Sequence, residues 1–243
     1  MAVKGRLLEL TMGDPYANLA FEEAMLREAE VPTLRVWENQ RSVVIGRGQL
    51  AEFETDVGLC RSRSIPIVRR CTAGGAVFNG PGNLNWSFVV PEEKGRARET
   101  LDAKGVFSGF AKLLVGALER CGVSAEFIPP NSVRTSEGKV SGLAAYVSKK
   151  GTLCHGTLLV SADLGEVQEL TRPKDVDLPR KYPRSRFAEV ANCGVSVPRL
   201  VGELASAGGG YERGEATGAE LRVCEGLRER YSSDAWNLGD PFS

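Results

Sequence analysis

Residues 69–91 read Arg69-Arg70-Cys71-Thr72-Ala73-Gly74-Gly75-Ala76-Val77-Phe78-Asn79-Gly80-Pro81-Gly82-Asn83-Leu84-Asn85-Trp86-Ser87-Phe88-Val89-Val90-Pro91. Residues 76–78 and 84–90 are rich in the β-branched and aromatic side chains that strands favour. Between them, Asn79-Gly80-Pro81-Gly82 is typical of a turn, because glycine reaches positive φ and proline fixes φ. The stretch therefore predicts two strands joined by a tight connection.

Thr72-Ala73-Gly74-Gly75 at the start of this stretch has almost no side-chain bulk. A ligand can lie directly on such a backbone, whose N–H groups can point at phosphate or carboxylate oxygens. Arg70 adds a planar, permanently charged fork for an anion. An ordinary glycine-rich turn beside a surface arginine is an alternative that the local pattern leaves open. The spacing matches neither a P-loop nor a Rossmann fingerprint.

The residues before this stretch predict a strand at 6–10, a helix starting at Asp14-Pro15, strands at 33–37 and 42–46, and a helix at 56–64. On the first helix, Ala17, Ala20, Phe21, Ala24 and Met25 are expected to face the core, and Glu22, Glu23 and Arg27 to form a solvated face.

Beyond residue 91, a charged segment at 92–99 is expected to be exposed, and the clearest helix of the chain spans 101–121. Strands are predicted at 123–128 and in a hairpin of 139–147 with 152–161. Further helices are predicted at 163–170, 199–205 and 215–231, and 171–186 reads as a basic loop. Helices and strands do not alternate strictly, which indicates an α+β fold with a mixed, mainly antiparallel sheet flanked by helices.

Length and composition set the outer limits. The 243 residues allow one large domain or two small ones. The 31 basic and 31 acidic residues balance, which favours neither nucleic acid nor an anionic membrane as a partner. No apolar run approaches a membrane span, and the first residues have no signal-peptide pattern, so a cytoplasmic location is expected.

Six scattered cysteines and a single histidine, His155, argue against a zinc site, and no metal ligands are predicted. Reduced, structural thiols are expected, and spacing leaves a disulfide open.

Three later residues are candidates for chemistry. Lys139 lies among small residues in Gly138-Lys139-Val140-Ser141-Gly142, so its ammonium could enter a cleft and stabilise charge on an acyl phosphate; a solvated surface lysine is the alternative. His155 fits either a core histidine or a proton-transfer group. Thr157 fits either a hydroxyl donor or an ordinary strand position.

Taken together, the motifs resemble the lipoate-protein ligase A family, part of the wider group of biotinyl/lipoyl protein ligases and octanoyltransferases. The matches, in chain order, are Asp14-Pro15 with Asn18-Leu19-Ala20-Phe21-Glu22-Glu23, then Val43-Val44-Ile45-Gly46-Arg47-Gly48-Gln49, the stretch 69–91, Asn131 with 138–142, His155-Gly156-Thr157-Leu158-Leu159, and Arg184-Ser185-Arg186.

The resemblance implies one biotinyl/lipoyl protein ligase-like catalytic domain over residues 1–243, with a C-terminal helical segment from about residue 199 to residue 243. It implies that lipoate and ATP, with Mg²⁺, form lipoyl-AMP. The lipoyl group would then pass to a lysine of a lipoyl domain in a 2-oxoacid dehydrogenase E2, or of the glycine-cleavage H protein.

Carried over by position, the resemblance implies that Lys139 is catalytic and contacts both the acyl carbonyl and the phosphate. The residues implied to bind ATP or the adenylate are Arg70, Gly74, Gly75, Ala76, Val77, Phe78, Asn83 and Lys139. His155 and Thr157 are implied to support them.

Two departures from the family pattern stand out. The family often has glycine where Ala73 stands, and His-Asp where Asn79-Gly80 stands, so an imidazole and a carboxylate are missing near the site.

Relatives also carry a further C-terminal domain that helps adenylation, in some archaea as a separate polypeptide. The sequence ends soon after Trp236, so a separate accessory subunit is expected.

Two other functions stay open. An octanoyltransferase would use a cysteine nucleophile and an acyl-carrier-protein donor without ATP, with Cys71, Cys121 and Cys154 as candidates by presence only. A non-catalytic module that binds lipoyl domains is suggested by Asn79-Gly80 and opposed by the retained Arg70 and Lys139. A biotin ligase fits poorly, because the long Gly-Arg-rich loop is missing.

Overall fold

The computed structural model describes residues 4–92, 103–207 and 210–243. The strands are β1 Gly5–Glu9, β2 Thr33–Trp37, β3 Ser42–Ile45, β4 Ile67–Arg69, β5 Val77–Asn79, β6 Asn83–Pro91, β7 Glu126–Ile128, β8 Ser132–Thr135, β9 Gly138–Val147, β10 Gly151–Leu159 and β11 Tyr211–Arg213. The helices are α1 Pro15–Arg27, α2 Ala51–Glu54, α3 Val57–Ser62, α4 Ala103–Arg120, α5 Leu164–Leu170, α6 Val197–Ser206, α7 Gly218–Ser232 and α8 Asp234–Asn237.

The strands form two sheets. The larger has the order β11-β1-β2-β6-β10-β9-β8-β7, and the smaller has the order β4-β3-β5. In the larger sheet, the pairs from β2 through β6, β10, β9 and β8 to β7 are antiparallel, whereas β11, β1 and β2 run parallel. The predicted α+β fold with a mixed, mainly antiparallel sheet flanked by helices is confirmed.

Alternation along the strands assigns the two faces of the larger sheet. On β10, Cys154 and Leu158 pack in a cluster with α4 and α6, whereas Leu153 belongs to the cluster around α1 and α7. His155 and Thr157 point to the same side as Leu153, because successive side chains of a strand alternate. A third cluster joins the smaller sheet to α3 and α5.

Helix α1 begins as predicted: the Asp14 carboxylate accepts a hydrogen bond from the Ala17 N–H at 2.7 Å, and Pro15 is the first helical residue. The predicted solvated face of this helix is wrong for Glu22 and Glu23, which are 1% and 7% exposed, whereas Arg27 is exposed as predicted. Glu23 accepts a hydrogen bond from the Tyr231 hydroxyl at 2.7 Å on the packed helix α7. A second helix therefore covers the side that the pattern assigned to solvent.

The turn at residues 79–82 joins strands of different sheets. β5 pairs with β3, whereas β6 pairs with β2 and β10. The two strands of the opening stretch exist, but they do not pair with each other. The turn carries the chain from the smaller sheet to the larger one, and Asn85 and Gly75 consequently meet at one cavity, described below.

The expected exposed segment at 92–99 lies outside the described residues from residue 93 onward, as do residues 101–102 of the predicted helix and residues 208–209. None of the helices described is long and apolar enough to cross a bilayer.

Candidate active site

A cavity of about 450 Å³ takes its lining from both sheets, from α1 and from the loop at 183–188. Its apolar lining residues include Leu19, Trp37, Val44, Val77 and Leu143, and its cationic ones are Arg70, Lys139, Arg184 and Arg186. A smaller cavity of about 90 Å³ adjoins it and shares Lys139, Thr157 and Ser185. The volume is that of a site for a small organic ligand, and the lining suits one with an apolar part and an anionic part.

Residues 73–75 form a loop beside the cavity, called the glycine loop below. The conformation of Gly74 and the close approach of Gly46 restrict its shape. Gly74 has φ +102°, in the region that favours glycine, and the Gly74 carbonyl oxygen would lie 2.1 Å from any Cβ placed on Gly46. Arg70 is buried behind this loop. One guanidinium nitrogen, Nη2, donates to the Ala73 and Gly75 carbonyls at 2.8 and 2.9 Å. Arg70 thus holds the shape of the loop, and burial lowers its pKa to about 10, which leaves it charged at neutral pH.

A buried polar chain runs from this arginine to helix α1. Arg70 Nε donates to Thr72 Oγ1 at 2.9 Å, and Thr72 Oγ1 lies 2.8 Å from His155 Nε2. His155 Nδ1 lies 2.9 and 3.0 Å from the two carboxylate oxygens of Glu22. Burial pushes the pKa of Glu22 upward, but the charge of His155 and hydrogen bonds from His155 and Ser87 outweigh burial and hold that pKa below its ordinary value.

Lys139 lies at the start of β9 and lines both cavities. Its N–H donates to the Glu189 carbonyl at 2.9 Å, and its own carbonyl accepts from Ala191 N–H at 3.0 Å, which fixes the backbone. Gly142 leaves room for the side chain, since a Cβ there would stand 3.1 Å from Lys139 Nζ.

The Lys139 ammonium has no hydrogen bond or ion pair among residues 4–92, 103–207 and 210–243. Burial, and secondarily the charge of Arg134, lower the pKa of Lys139. A half-buried cation without an anionic partner is costly for the fold, and a site that binds an anionic ligand explains why it is kept.

The loop at 183–188 is pinned against the glycine loop. The Ser185 hydroxyl oxygen accepts the Ala76 N–H at 2.7 Å and the Gln49 side-chain amide at 3.1 Å. The fully buried Glu54 accepts Arg184 Nε at 2.7 Å and the Ser185 N–H at 2.9 Å. The basic loop expected at 171–186 therefore forms one wall of the cavity near its C-terminal end.

The structure brings most of the candidate residues together at these cavities. Those lining the larger one are Arg70, Gly74, Gly75, Ala76, Val77, Lys139, His155 and Thr157, and Phe78 lines the smaller one. Asn83 lines neither of the two; its side-chain amide donates to the Phe78 carbonyl at 2.8 Å within the turn. Sequence reasoning did not name Glu22, Trp37 and Ser185 as site residues, although Glu22 and Ser185 lie in stretches that match the family; distant segments bring all three to the cavity.

The cysteines stand apart from the cavities. All six are unpaired thiols, and none is among the lining residues of either cavity. Burial raises the pKa of Cys71 to about 12 and raises that of Cys154 further. Thiols of this kind do not form the thiolate that a cysteine-dependent acyl transfer needs, so the octanoyltransferase reading finds no support in this site.

Two relatives place the chain among known proteins. Lipoate-protein ligase A subunit 1 of Thermoplasma acidophilum is 29% identical over 98% of this chain and 97% of its own length. Lipoate–protein ligase 1 of Staphylococcus aureus is 32% identical over 74% of this chain and 53% of its own length. The chain therefore spans nearly all of one relative and about half of the other.

Solved structures agree. The bi-partite lipoate protein ligase of T. acidophilum, studied with its E2 lipoyl domain, superposes with a TM-score of 0.82 at 28% identity, covering 98% of this chain and 97% of that one. A T. acidophilum protein with bound lipoic acid and a lipoate-protein ligase A bound with ATP each give a TM-score of 0.82 at 28% identity, covering 97% of this chain and 99% of theirs. The family model of the lipoyl protein ligase A/B catalytic domain matches residues 14–198, and the chain belongs to that family.

Proposed function

We propose that this protein is an ATP-dependent lipoate-protein ligase. It joins the carboxylate of lipoate to the α-phosphate of ATP with release of pyrophosphate, and then transfers the lipoyl group from lipoyl-AMP to a lysine of a lipoyl domain with release of AMP. The proposal treats the described residues as one catalytic domain, because the larger cavity takes lining residues from both sheets. Solved structures that superpose on nearly the whole chain contain lipoic acid or ATP, which are the two substrates of this reaction.

The lining of the larger cavity supports the same pair of substrates. Lipoate has an apolar tail and a carboxylate, and the cavity has an apolar group of residues that includes Leu19, Trp37 and Val44. ATP carries phosphates, and the glycine loop together with Arg186 and Lys139 supplies backbone N–H groups and positive charge.

The proposal rests above all on the Lys139 ammonium, which has no ion-pair partner among the residues that the structure describes. It lies between the two cavities, where it can contact a carboxylate oxygen of the acid and a phosphate oxygen of the nucleotide. In that position it lowers the charge repulsion between the two reactants and stabilises the negative charge that develops as the carboxylate attacks the α-phosphorus. Burial lowers the pKa of Lys139, and the negative charge of a bound nucleotide would act in the opposite direction.

The proposal includes Mg²⁺, which would bind together with ATP. The described residues contain no group of three His, Cys, Asp or Glu side chains that could hold a metal ion. Magnesium on a nucleotide needs only one or two protein oxygens, because phosphates and water fill the other positions. The carboxamide oxygen of Asn79, a residue that lines the larger cavity, is buried without a hydrogen-bond partner among the described residues and fits one such position. When bound, the ion would neutralise phosphate charge.

The partners follow from the T. acidophilum relative. That protein is subunit 1 of a bi-partite ligase and was studied with its E2 lipoyl domain. The proposal therefore includes an E2 lipoyl domain, or the glycine-cleavage H protein, as acceptor and a separate accessory subunit for adenylation. Six unpaired thiols are typical of a reducing compartment, which supports a cytoplasmic location.

The test is formation of lipoyl-AMP, measured by mass spectrometry after the protein is incubated with lipoate, ATP and Mg²⁺, with and without a candidate accessory subunit. We expect Lys139→Ala to lower the rate of adenylate formation about a hundredfold or more, because a preorganised charge at the reacting atoms is lost. Lys112→Ala, which removes an exposed lysine of α4, is the matched control and should leave the rate unchanged.

Equal rates of adenylate formation for Lys139→Ala and Lys112→Ala would show that Lys139 takes no part in the reaction. No adenylate from the wild type under either condition would contradict the proposed function itself.

A further inference from the structure

Thr72 occupies an unusual place beside the cavity. It is fully buried and does not line either cavity, yet its hydroxyl contacts two residues that line the larger one, Arg70 and His155. Thr72 therefore cannot touch a ligand in these cavities. Any influence that it has on the reaction must pass through Arg70 or His155.

Two hydrogen bonds of this buried polar chain have directions that the donor and acceptor groups fix. The Glu22 carboxylate only accepts, so His155 Nδ1 carries the proton that lies between them. Thr72 Oγ1 accepts from Arg70 Nε at 2.9 Å and lies 2.8 Å from His155 Nε2, so one hydroxyl contacts both residues. The Thr72 hydroxyl is thus held between Arg70 and His155.

The Glu22 end of this hydrogen-bond chain is anchored by the larger sheet. Ser87, directly opposite His155 in the β6–β10 ladder, donates to the same Glu22 carboxylate and accepts from Trp37 Nε1 at 3.3 Å. Glu22 and Ser87 are buried on the rigid elements α1 and β6. The position of the imidazole is thus set by elements that lie outside the glycine loop.

The Arg70 end of this hydrogen-bond chain determines the conformation of the glycine loop. With Nε held by Thr72, the guanidinium plane is oriented so that Nη2 reaches the Ala73 and Gly75 carbonyls together. Those two carbonyls flank Gly74, whose positive φ turns the peptide groups of the loop. Nη1 makes only a longer contact, 3.4 Å to the Val44 carbonyl, so loss of the Thr72 contact would leave the guanidinium plane, and with it the brace between the two loop carbonyls, less firmly set.

We propose that Glu22, His155 and Thr72 form a positioning relay that sets the orientation of Arg70 and, through it, the shape of the nucleotide-binding loop at 73–75. The relay connects helix α1 and strand β10 of the larger sheet to the loop that joins β4 to β5 of the smaller sheet. It deepens the proposed function, on which it rests for the statement that the loop binds ATP. Its structural half, the control of the loop by Thr72, is independent of any activity.

The test compares Thr72→Val, which keeps the shape but removes the hydroxyl, with Thr72→Ser, which keeps the hydroxyl. Thr152→Val is the control, because Thr152 is also buried, lies on β10 and has no side-chain hydrogen bond recorded in the described part of the chain. Hydrogen exchange of peptides covering 70–78 reports on the loop without substrate. Steady-state KM values for ATP and for lipoate report on function.

For Thr72→Val we expect faster exchange in peptides covering 70–78 and an increase in KM for ATP of about tenfold, which corresponds to about 1.4 kcal/mol. The KM for lipoate should change less than about twofold, since Leu19 and Trp37, assigned to its apolar tail, lie outside the loop at 73–75. Thr72→Ser should show the exchange rate at 70–78 and the KM for ATP of the wild type. Thr152→Val should show wild-type values of both as well.

His155→Asn provides a second variant, because asparagine can still reach Glu22 but not Thr72. It should also speed exchange at 70–78. Equal exchange for the wild type, Thr72→Val and His155→Asn would overturn the relay. A Thr72→Val protein whose two KM values rise together, without rescue by serine, would also overturn it. An inactive wild type would contradict the proposed function, while the exchange measurement would still decide the structural half.

Discussion

At the scale of single residues, the site depends on charged side chains that are buried, where an ionised group lowers the stability of the fold. Lys139 has no anionic partner in the described part of the chain, Arg70 is committed to the carbonyls of its own loop, and Glu22 is held by His155. Each of these groups costs free energy of folding unless another group or a ligand compensates it. Their convergence on one cavity is the physical mark of a binding site for a charged ligand.

Glu22 gives a prediction for the pH dependence of stability. Its pKa in the folded protein lies below its ordinary value of 4.5, so the unfolded chain binds more protons in acid. The stabilisation from Glu22 is therefore complete above about pH 4.5 and is lost as the pH falls through the folded-state pKa.

The free energy of unfolding of the wild type and of Glu22→Gln, measured in urea from pH 3 to pH 7, tests this. We expect the wild type to be more stable by about 1–3 kcal/mol at neutral pH, and the difference to shrink in acid. A difference that stays constant down to pH 3 would show that the Glu22 carboxylate is not held ionised in the fold.

At the scale of elements, the glycine loop is shaped by its neighbour, the loop after β3. Gly46→Ala should separate the two loops, because the new Cβ would stand 2.1 Å from the Gly74 carbonyl oxygen. We expect it to lower both the stability and the rate of adenylate formation. Gly226→Ala, inside α7 with open space around it, should raise stability by about 0.5–1 kcal/mol and leave the rate unchanged.

Thermal unfolding and the adenylate assay on both variants provide the measurement. If Gly46→Ala behaved like Gly226→Ala in both assays, the close contact between the loops would not constrain the site.

The elements also show what a sequence can and cannot predict. The helix start at Asp14-Pro15 and the hairpin of β9 and β10 follow from local chemistry and were predicted. The pairing of β5 with β3 was not, because strand propensity does not say which partner a strand finds. Glu22 was assigned to solvent because helical periodicity marks one buried face, whereas α7 and the sheet together bury both.

The same limit applies to the candidate site. Lys139, Arg70 and the glycine loop lie in recognisable motifs, so they could be named from the sequence. Ser185 and Trp37 reach the cavity only through the tertiary fold. The role expected for Arg70 also changed, since its N–H groups are used by Thr72 and by loop carbonyls, which no local pattern predicts.

At the scale of the whole molecule, distant segments stabilise one another around the site. Arg69, next to Arg70, is 1% exposed and donates to the carbonyls of Arg47 at 3.0 Å, Trp236 at 2.6 Å and Gly239 at 3.0 Å. The segment at 236–239 is thereby fastened to the strand that leads into the glycine loop. Trp236 and Gly239, near the C-terminal end of the sequence, are thus held against the region of the site.

The most direct test of the central claim is the intact mass of an apo lipoyl domain after incubation with this protein, lipoate, ATP and Mg²⁺, with and without a separate accessory subunit. The account predicts a lipoyl mass increase that requires ATP and that the accessory subunit strengthens. An increase seen only when an octanoyl carrier protein replaces lipoate and ATP would contradict it and indicate an acyltransferase. No increase under any condition would contradict it as well and leave a lipoyl-domain-binding module.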